Sequence, residues 1–190
     1  MTMQPASYPA RLDIDYPAEL DRLTSFFRLI WVIPIAVIWS ALSTTQWVAT
    51  ALMIAFRGRY PRWWYDYARE MTRFGTRMGA YMALLTDQYP STVEEQSVHL
   101  EIDYPDVERD LNRWLPLFKW LLAIPHYVVL AFVWLAAFIV VLFAWFAILF
   151  TGRYPQALFD FVVGAFRWTL RVNAYAFLLV TDRYPPFSLR

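Results

Sequence analysis

Few side chains in this sequence could carry out chemistry. It has no cysteine and only two histidines, which excludes disulfides, thiolate catalysis and cysteine-ligated metal sites. His126 stands alone at the start of an apolar segment, where a structural hydrogen-bonding role is favoured over proton transfer or metal binding. Asp13 with Asp15, and Glu101 with Asp103, alternate in extended segments, so solvent-facing carboxylates are favoured over a calcium or acid–base site. The sequence therefore predicts no catalytic residue, no metal, no cofactor and no enzymatic activity.

A stripe of arginine and acidic residues is the second candidate feature. On a helical projection the charges of residues 62–77 fall in one narrow sector, opposite a wide apolar face. The stripe contains Arg62, Asp66, Arg69, Glu70, Arg73 and Arg77, and its later counterpart contains Asp160, Arg167 and Arg171. Such a helix is typical of one that lies in the membrane interface. A helix that crosses the membrane with the stripe turned inward stays open, most of all for the later copy.

Two exit motifs, Gly58-Arg59-Tyr60-Pro61 and Gly152-Arg153-Tyr154-Pro155, precede these helices. Each offers a glycine for a left-handed helix cap, a cation for headgroups and an interfacial tyrosine. We predict a lipid-headgroup or interfacial site here, either selective for a headgroup or a plain anchor. Its residues are Arg59, Tyr60, Trp63, Trp64, Arg69, Arg73, Arg77, Arg153, Tyr154, Arg167 and Arg171.

The composition places these residues in a membrane protein. The chain is 59% hydrophobic and 17% charged, with a net charge of +1, which gives no attraction for nucleic acid. Residues 29–56 and 120–150 contain no charge, and each run exceeds the length of about 20 residues that one span needs. Pro34 and Pro125 are the expected dividers. The predicted membrane helices are 35–56 and 126–150, and the predicted interfacial helices leading into them are 18–33 and 106–124.

A third arrangement of the first apolar run is a re-entrant hairpin. The polar residues Ser40, Ser43, Thr44, Thr45 and Gln46 lie in the middle of that run, where such a hairpin could turn. The second run has no turn residue at the corresponding place, so this arrangement ranks behind the interfacial and crossing ones.

The sequence indicates an internal duplication, with two copies of one repeat unit. Four motifs recur in the same order and at similar spacing. They are Leu12–Pro17 with Leu100–Pro105, Ile33-Pro34 with Ile124-Pro125, the two exit motifs, and Thr86–Pro90 with Thr181–Pro185. The predicted organisation is a first repeat at 1–90, a polar linker at 91–97 and a second repeat at 98–190.

The opening motif of each repeat alternates apolar and acidic residues, as a half-buried strand does. A single strand has unpaired backbone groups and cannot lie in lipid. The two strands are expected to pair with each other or with another subunit outside the membrane. The alternative is an extended surface arm.

The second repeat resembles the DUF4389 family of bacterial membrane proteins. The resemblance lies in Leu122–His126, Trp145–Pro155, Phe159–Val162, Arg167-Trp168, Arg171-Val172, Ala174-Tyr175, Leu178-Leu179 and Thr181–Phe187. It covers essentially the whole chain as two copies, although the first copy has Ile35 where the second has His126. The resemblance implies location and architecture, and it supplies no catalytic residues because the family has no assigned activity.

These observations predict a mainly α membrane protein built by tandem duplication. Each unit would contain a short β-strand, a helix leading in, an apolar membrane helix and an amphipathic interfacial helix. The expected place is the bacterial inner membrane, with several passes. The expected function is an accessory or scaffold subunit of a membrane complex, or a lipid-organising protein. The alternatives are a small oligomeric transporter or channel, and a membrane-shaping protein. Expected partners are membrane lipids and either another protein or further copies of this chain, with no nucleic acid.

Overall fold

Two strands, β1 (Ala10–Ile14) and β2 (Val98–Ile102), pair antiparallel in the computed structural model, which describes residues 8–43 and 46–190. Leu12 lies opposite Leu100, and along both strands buried residues alternate with exposed ones. Pairing between the two repeats is therefore confirmed. We call β1 and β2 together the clasp.

The first apolar run is divided into two helices after Ser43, and not at Pro34 as the sequence predicts. Helix α1 (Arg22–Ser43) continues through Pro34, and α2 (Gln46–Arg57) follows. The predicted helices 18–33 and 35–56 are therefore wrong in their bounds, because proline removes one hydrogen bond without ending this helix. Near the end of α1 the Ser40 hydroxyl donates to the Val37 carbonyl at 2.8 Å. Such a side-chain bond competes with the backbone hydrogen bonds of the helix. Thr44 and Thr45, part of the predicted hairpin turn, lie outside the described residues.

The second apolar run forms α6 (Ile124–Thr151), close to the predicted helix 126–150, with Pro125 in its first turn. The predicted helix 106–124 is wrong. It consists of α4 (Val107–Asp110), a 3-10 turn (Leu115–Leu117) and α5 (Lys119–Leu122). The Asn112 side chain accepts from the backbone N–H groups of Trp114 and Leu115 at 3.0 and 3.3 Å, which favours a turn over helix.

Within the described residues, α6 alone is long and apolar enough to cross a membrane. The mainly helical class is confirmed, but a second helix of this kind, which a multi-pass arrangement needs, is not found in that part of the chain.

Two long amphipathic helices, α3 (Arg62–Met82) and α7 (Gln156–Ala176), follow the exit motifs as predicted. Helix α1 packs on α3, and α6 packs on α7. Each amphipathic helix is followed by a buried leucine with left-handed backbone, Leu84 (φ 65°) or Leu179 (φ 59°). The repeats therefore match even in an uncommon backbone conformation.

The strands are exchanged between the repeats. Strand β1 of the first repeat packs on α7 of the second, and β2 of the second packs on α3 of the first. Tyr16 donates its hydroxyl hydrogen to the Tyr154 carbonyl, and Tyr104 donates to the Tyr60 carbonyl at 2.5 Å. Each strand is thereby fixed to the exit motif of the opposite repeat.

The exit glycines provide a test of the predicted caps. Gly58 has φ 60°, and no atom lies within 4 Å of the position that a Cβ would take. We expect Gly58→Ala to cost about 1–2 kcal/mol of unfolding free energy in detergent, from backbone conformation alone. Gly58→Asn should cost less, because asparagine tolerates this region. An asparagine variant as unstable as the alanine variant would contradict the explanation.

Candidate functional site

The exit motifs expose their arginines and bury their tyrosines. Arg59 and Arg153 are exposed, whereas Tyr60 and Tyr154 are only 2% and 0% exposed. Both tyrosine rings are therefore buried in the protein, and this burial raises the pKa of both hydroxyls well above the usual value. Each exit motif therefore presents a cation to its surroundings beside a buried ring.

The tryptophans after the first exit motif differ in their environment. Trp63 is 69% exposed, while Trp64 donates its indole N–H to the Thr50 hydroxyl at 2.8 Å. Their rings meet edge to face at 5.5 Å. Trp64 thus joins α3 to α2, and Trp63 alone of the pair faces outward.

In the arginine stripe of the first repeat Arg62 is exposed and Asp66 is partly exposed, whereas Arg73 and Arg77 contact other parts of the chain. Arg69 pairs with Glu70 at 3.1 Å, and Arg73 pairs with Glu70 at 2.9 Å and points a second nitrogen at the Leu100 carbonyl at 3.5 Å. Arg77 is 7% exposed and donates to the Ser91 carbonyl at 2.5 Å. Burial lowers the pKa of Arg77, and neighbouring Arg73 lowers it further.

The stripe of the second repeat makes the matching contacts. Arg167 donates to the Leu12 carbonyl at 2.9 Å and to the Asp13 carboxylate at 2.7 Å. Arg171 is 8% exposed and donates to the carbonyls of Ser188 and Arg190. In both repeats, then, one stripe arginine binds the opposite repeat's strand and the next binds the segment that follows its own helix.

A buried ion pair in the first repeat was not predicted from the sequence. Arg28 is 2% exposed and donates to the carbonyls of Tyr81 and Thr86 at 2.6 and 2.9 Å. It also pairs with Asp87, and its guanidinium carbon lies 4.4 Å from the centre of the Tyr81 ring. The start of α1 is thereby bound to the segment after α3.

The second repeat contains the same arrangement with lysine in place of arginine. Lys119 is 0% exposed, and its Nζ lies 2.6 Å from the Asp182 carboxylate. Nζ also donates to the Thr181 carbonyl at 2.8 Å and lies 5.3 Å from the centre of the Tyr175 ring. Desolvation lowers the pKa of Lys119, while Asp182 opposes this shift. We call Arg28–Asp87 and Lys119–Asp182 the paired ties.

The signal for the paired ties was present in the sequence. Arg28 and Lys119 stand at the same distance before Pro34 and Pro125, and the aspartates belong to the recurring Thr-Asp-x-Tyr-Pro motif. The motif was recognised as a mark of duplication. A cation at a matching place in both repeats could have identified its partner.

His126 lies among aromatic rings of the second repeat. It is 0% exposed, its Nδ1 accepts the indole N–H of Trp168 at 3.1 Å, and its ring stacks on Phe187 at 3.9 Å. The first repeat has Ile35 packed with Phe74 at the corresponding place. No group of three or more His, Asp or Glu that could hold a metal ion occurs among residues 8–43 and 46–190.

Comparison with protein families gives a match in both repeats. A family model described as a domain of unknown function, DUF4389, matches residues 22–94 and 113–188. Both matched segments contain a paired tie and omit the strand that precedes it. Comparisons with curated proteins and with solved structures find no match.

Proposed function

This chain belongs to the DUF4389 family, and on that premise we propose that it is a non-enzymatic integral membrane protein, an accessory or scaffold subunit of a membrane complex. The proposed place is the bacterial inner membrane, with α6 as a membrane span. The observation that carries the proposal is the outward face of α6.

Helix α6 exposes large apolar side chains along its whole length. Phe132, Phe143 and Phe150 are 69%, 65% and 80% exposed, and leaving such a side chain in water costs about 1.5–3 kcal/mol each. The opposite face is closely packed, since Ala137 and Ala144 are 0% exposed. A helix with one face packed on its own chain and the other covered with phenylalanine fits lipid or a partner's membrane helix.

The first repeat adds to this surface. Ile30 and Val37 of α1 are 63% and 62% exposed, and Phe56 at the end of α2 is 66% exposed. Both repeats therefore offer apolar surface that their own chain leaves uncovered, as expected of a subunit that packs against something larger.

The transporter and membrane-shaping alternatives stay predictions. A pore would need the stripe to face solute, but Arg73 and Arg167 are directed at the carbonyls of the clasp. Nothing about the described residues favours either alternative over the accessory role.

Site-specific photo-crosslinking in membranes tests the proposal. A crosslinking amino acid at Phe143, on the exposed face, should give a discrete protein adduct. The same amino acid at Ala144, one residue along and buried, should give only an intramolecular product. Lipid adducts without a protein band at Phe143 would contradict the accessory role. Release of the chain from membranes by an alkaline carbonate wash would contradict the membrane location itself.

A further inference from the structure

A groove of about 760 Å³ opens beside the first exit motif, between the end of α2 and the segment that follows β2. Arg57, Arg59 and Arg62 line one side, and Asp106 and Glu108 line the other. The groove lining therefore contains guanidinium groups from the exit motif and carboxylates from the segment after β2.

The groove exists because the second repeat carries an insertion. The backbone N–H groups of Asp21 and Asn112 make the same contact, each donating to the aspartate of its paired tie. Asp21 follows Pro17 by four positions, whereas Asn112 follows Pro105 by seven, so the second repeat has three extra residues. The short helix α4 lies in this longer segment, between Pro105 and Asn112.

At the second exit motif the place that corresponds to the groove is covered by the chain. The backbone N–H of Leu20 donates to the Gly152 carbonyl at 2.9 Å, so the chain lies directly against the exit loop. At the first exit motif the described residues show no such backbone bond from Leu111, the counterpart of Leu20, to the Gly58 carbonyl. Arg153 therefore provides a natural comparison for Arg59, since it has the same local sequence but a closed surrounding.

Of the three groove arginines, Arg62 pairs with Asp66 at 3.6 Å and lies over the Tyr104 ring, whereas Arg57 and Arg59 make no ion pair among the described residues. At the end of α2 the Arg113 guanidinium donates to the backbone carbonyls of Ala55 at 2.8 Å and Phe56 at 2.9 Å. Two exposed guanidinium groups are thus free to bind an anion.

The carboxylates on the far wall differ in availability. Asp106 caps its own short helix, accepting from the Glu108 N–H at 3.2 Å. Glu108 is exposed, with no ion pair in the described part of the chain. A cationic group on the ligand could therefore be bound by Glu108.

Apolar surface adjoins the charged groups. Met53 lines the groove, and the exposed ring of Phe56, the residue before Arg57, meets the exposed Trp114 ring edge to face at 6.3 Å. An interfacial lipid presents this combination, with its charged headgroup next to its acyl chains.

We propose that this groove binds the headgroup of a phospholipid that carries a primary ammonium, with the phosphate on Arg57 and Arg59 and the ammonium on Glu108. The inference rests on the proposed membrane location. A quaternary ammonium cannot donate a hydrogen bond to Glu108, and a headgroup without a cation leaves Glu108 unpaired next to a phosphate. Both features predict selectivity for the primary amine.

Native mass spectrometry of the detergent-purified full chain tests the inference. Dioleoyl phosphatidylethanolamine, phosphatidylcholine and phosphatidylglycerol are titrated separately. We expect the ethanolamine lipid to bind about tenfold more tightly than the choline lipid, the effect of one charge-assisted hydrogen bond. Arg57→Gln with Arg59→Gln should weaken its binding about tenfold or more. Glu108→Gln should remove the preference over the choline lipid.

Arg183→Gln, at an exposed arginine outside the groove, is the control and should leave binding of the ethanolamine lipid unchanged. An equal loss in this variant, or tighter binding of the glycerol lipid than of the ethanolamine lipid by the native chain, overturns the inference. Thermal unfolding of each variant separates lost binding from lost folding. Retention in carbonate-washed membranes without lipid selectivity overturns the groove inference alone, whereas release by the wash overturns the proposed function.

Discussion

Asp182→Asn is expected to destabilise the protein by about 3–5 kcal/mol, the usual cost of removing one partner from a buried ion pair. Lys119 is 0% exposed, and its ammonium lies 2.6 Å from this carboxylate. Asparagine keeps the size of the side chain but leaves the lysine charge without a counterion. Unfolding in detergent, followed by tryptophan fluorescence, measures the loss.

Two further variants make this expectation specific. Asp160→Asn removes an exposed carboxylate that is in no ion pair within the described residues, and it should change stability by less than about 0.5 kcal/mol. Lys119→Met combined with Asp182→Asn should recover much of the loss, because no buried charge then remains. If Asp182→Asn cost no more than Asp160→Asn, the paired ties would have no part in stability.

Leu100→Ala is expected to lower the free energy of unfolding by about 2–5 kcal/mol and to weaken the association of the two repeats. Leu100 is 3% exposed in β2, opposite Leu12 of β1, and the clasp packs each strand on the opposite repeat. Truncation leaves a cavity between the clasp and the helices beneath it. The measurable consequence is separation of the repeats once the chain between them is cut.

A specific protease site inserted after Val93, which is 90% exposed, allows that cut. The cleaved native chain should elute from a sizing column in detergent as one species, and the cleaved Leu100→Ala chain should separate in part. Glu101→Ala is the control on the exposed face, because its ion pair with Arg11 is exposed at both ends and worth at most about 1 kcal/mol. Co-elution of all three cleaved chains would show that the clasp does not hold the repeats together.

Local patterns in the sequence predicted the elements that local physics determines. Alternation in residues 12–16 and 100–104 predicted two half-buried strands, which lie two residues earlier, at 10–14 and 98–102. Gly58 and Gly152 predicted left-handed caps. The charged stripe predicted amphipathic helices after both exit motifs, where α3 and α7 lie. Each of these depends on neighbours within one or two turns of chain.

The errors arose where proline and turn chemistry compete with their surroundings. Pro34 lies inside α1, although proline removes one backbone hydrogen bond. Asn112 and Pro116 interrupt the predicted helix 106–124, which consists of short pieces. Periodicity alone does not weigh these effects.

The sequence predicted which residues belong to the candidate site better than it predicted what those residues contact. A helical projection placed Arg73 and Arg167 on the charged face of their helices. Each contacts a strand of the other repeat, which is distant in sequence. The groove at Arg59 depends on three inserted residues near position 108. Contacts of this range follow from topology, which a single sequence does not supply.

Exchange of the strands has a consequence for any chain that carried one repeat. Its strand would have no helix of its own to cover, so such a chain would complete itself by intertwining with a second copy as a symmetric dimer. Joining the copies through residues 91–97 turns that bimolecular encounter into an intramolecular one at high effective concentration. The join also frees the two halves to diverge, so that one end can open a groove while the other remains shut.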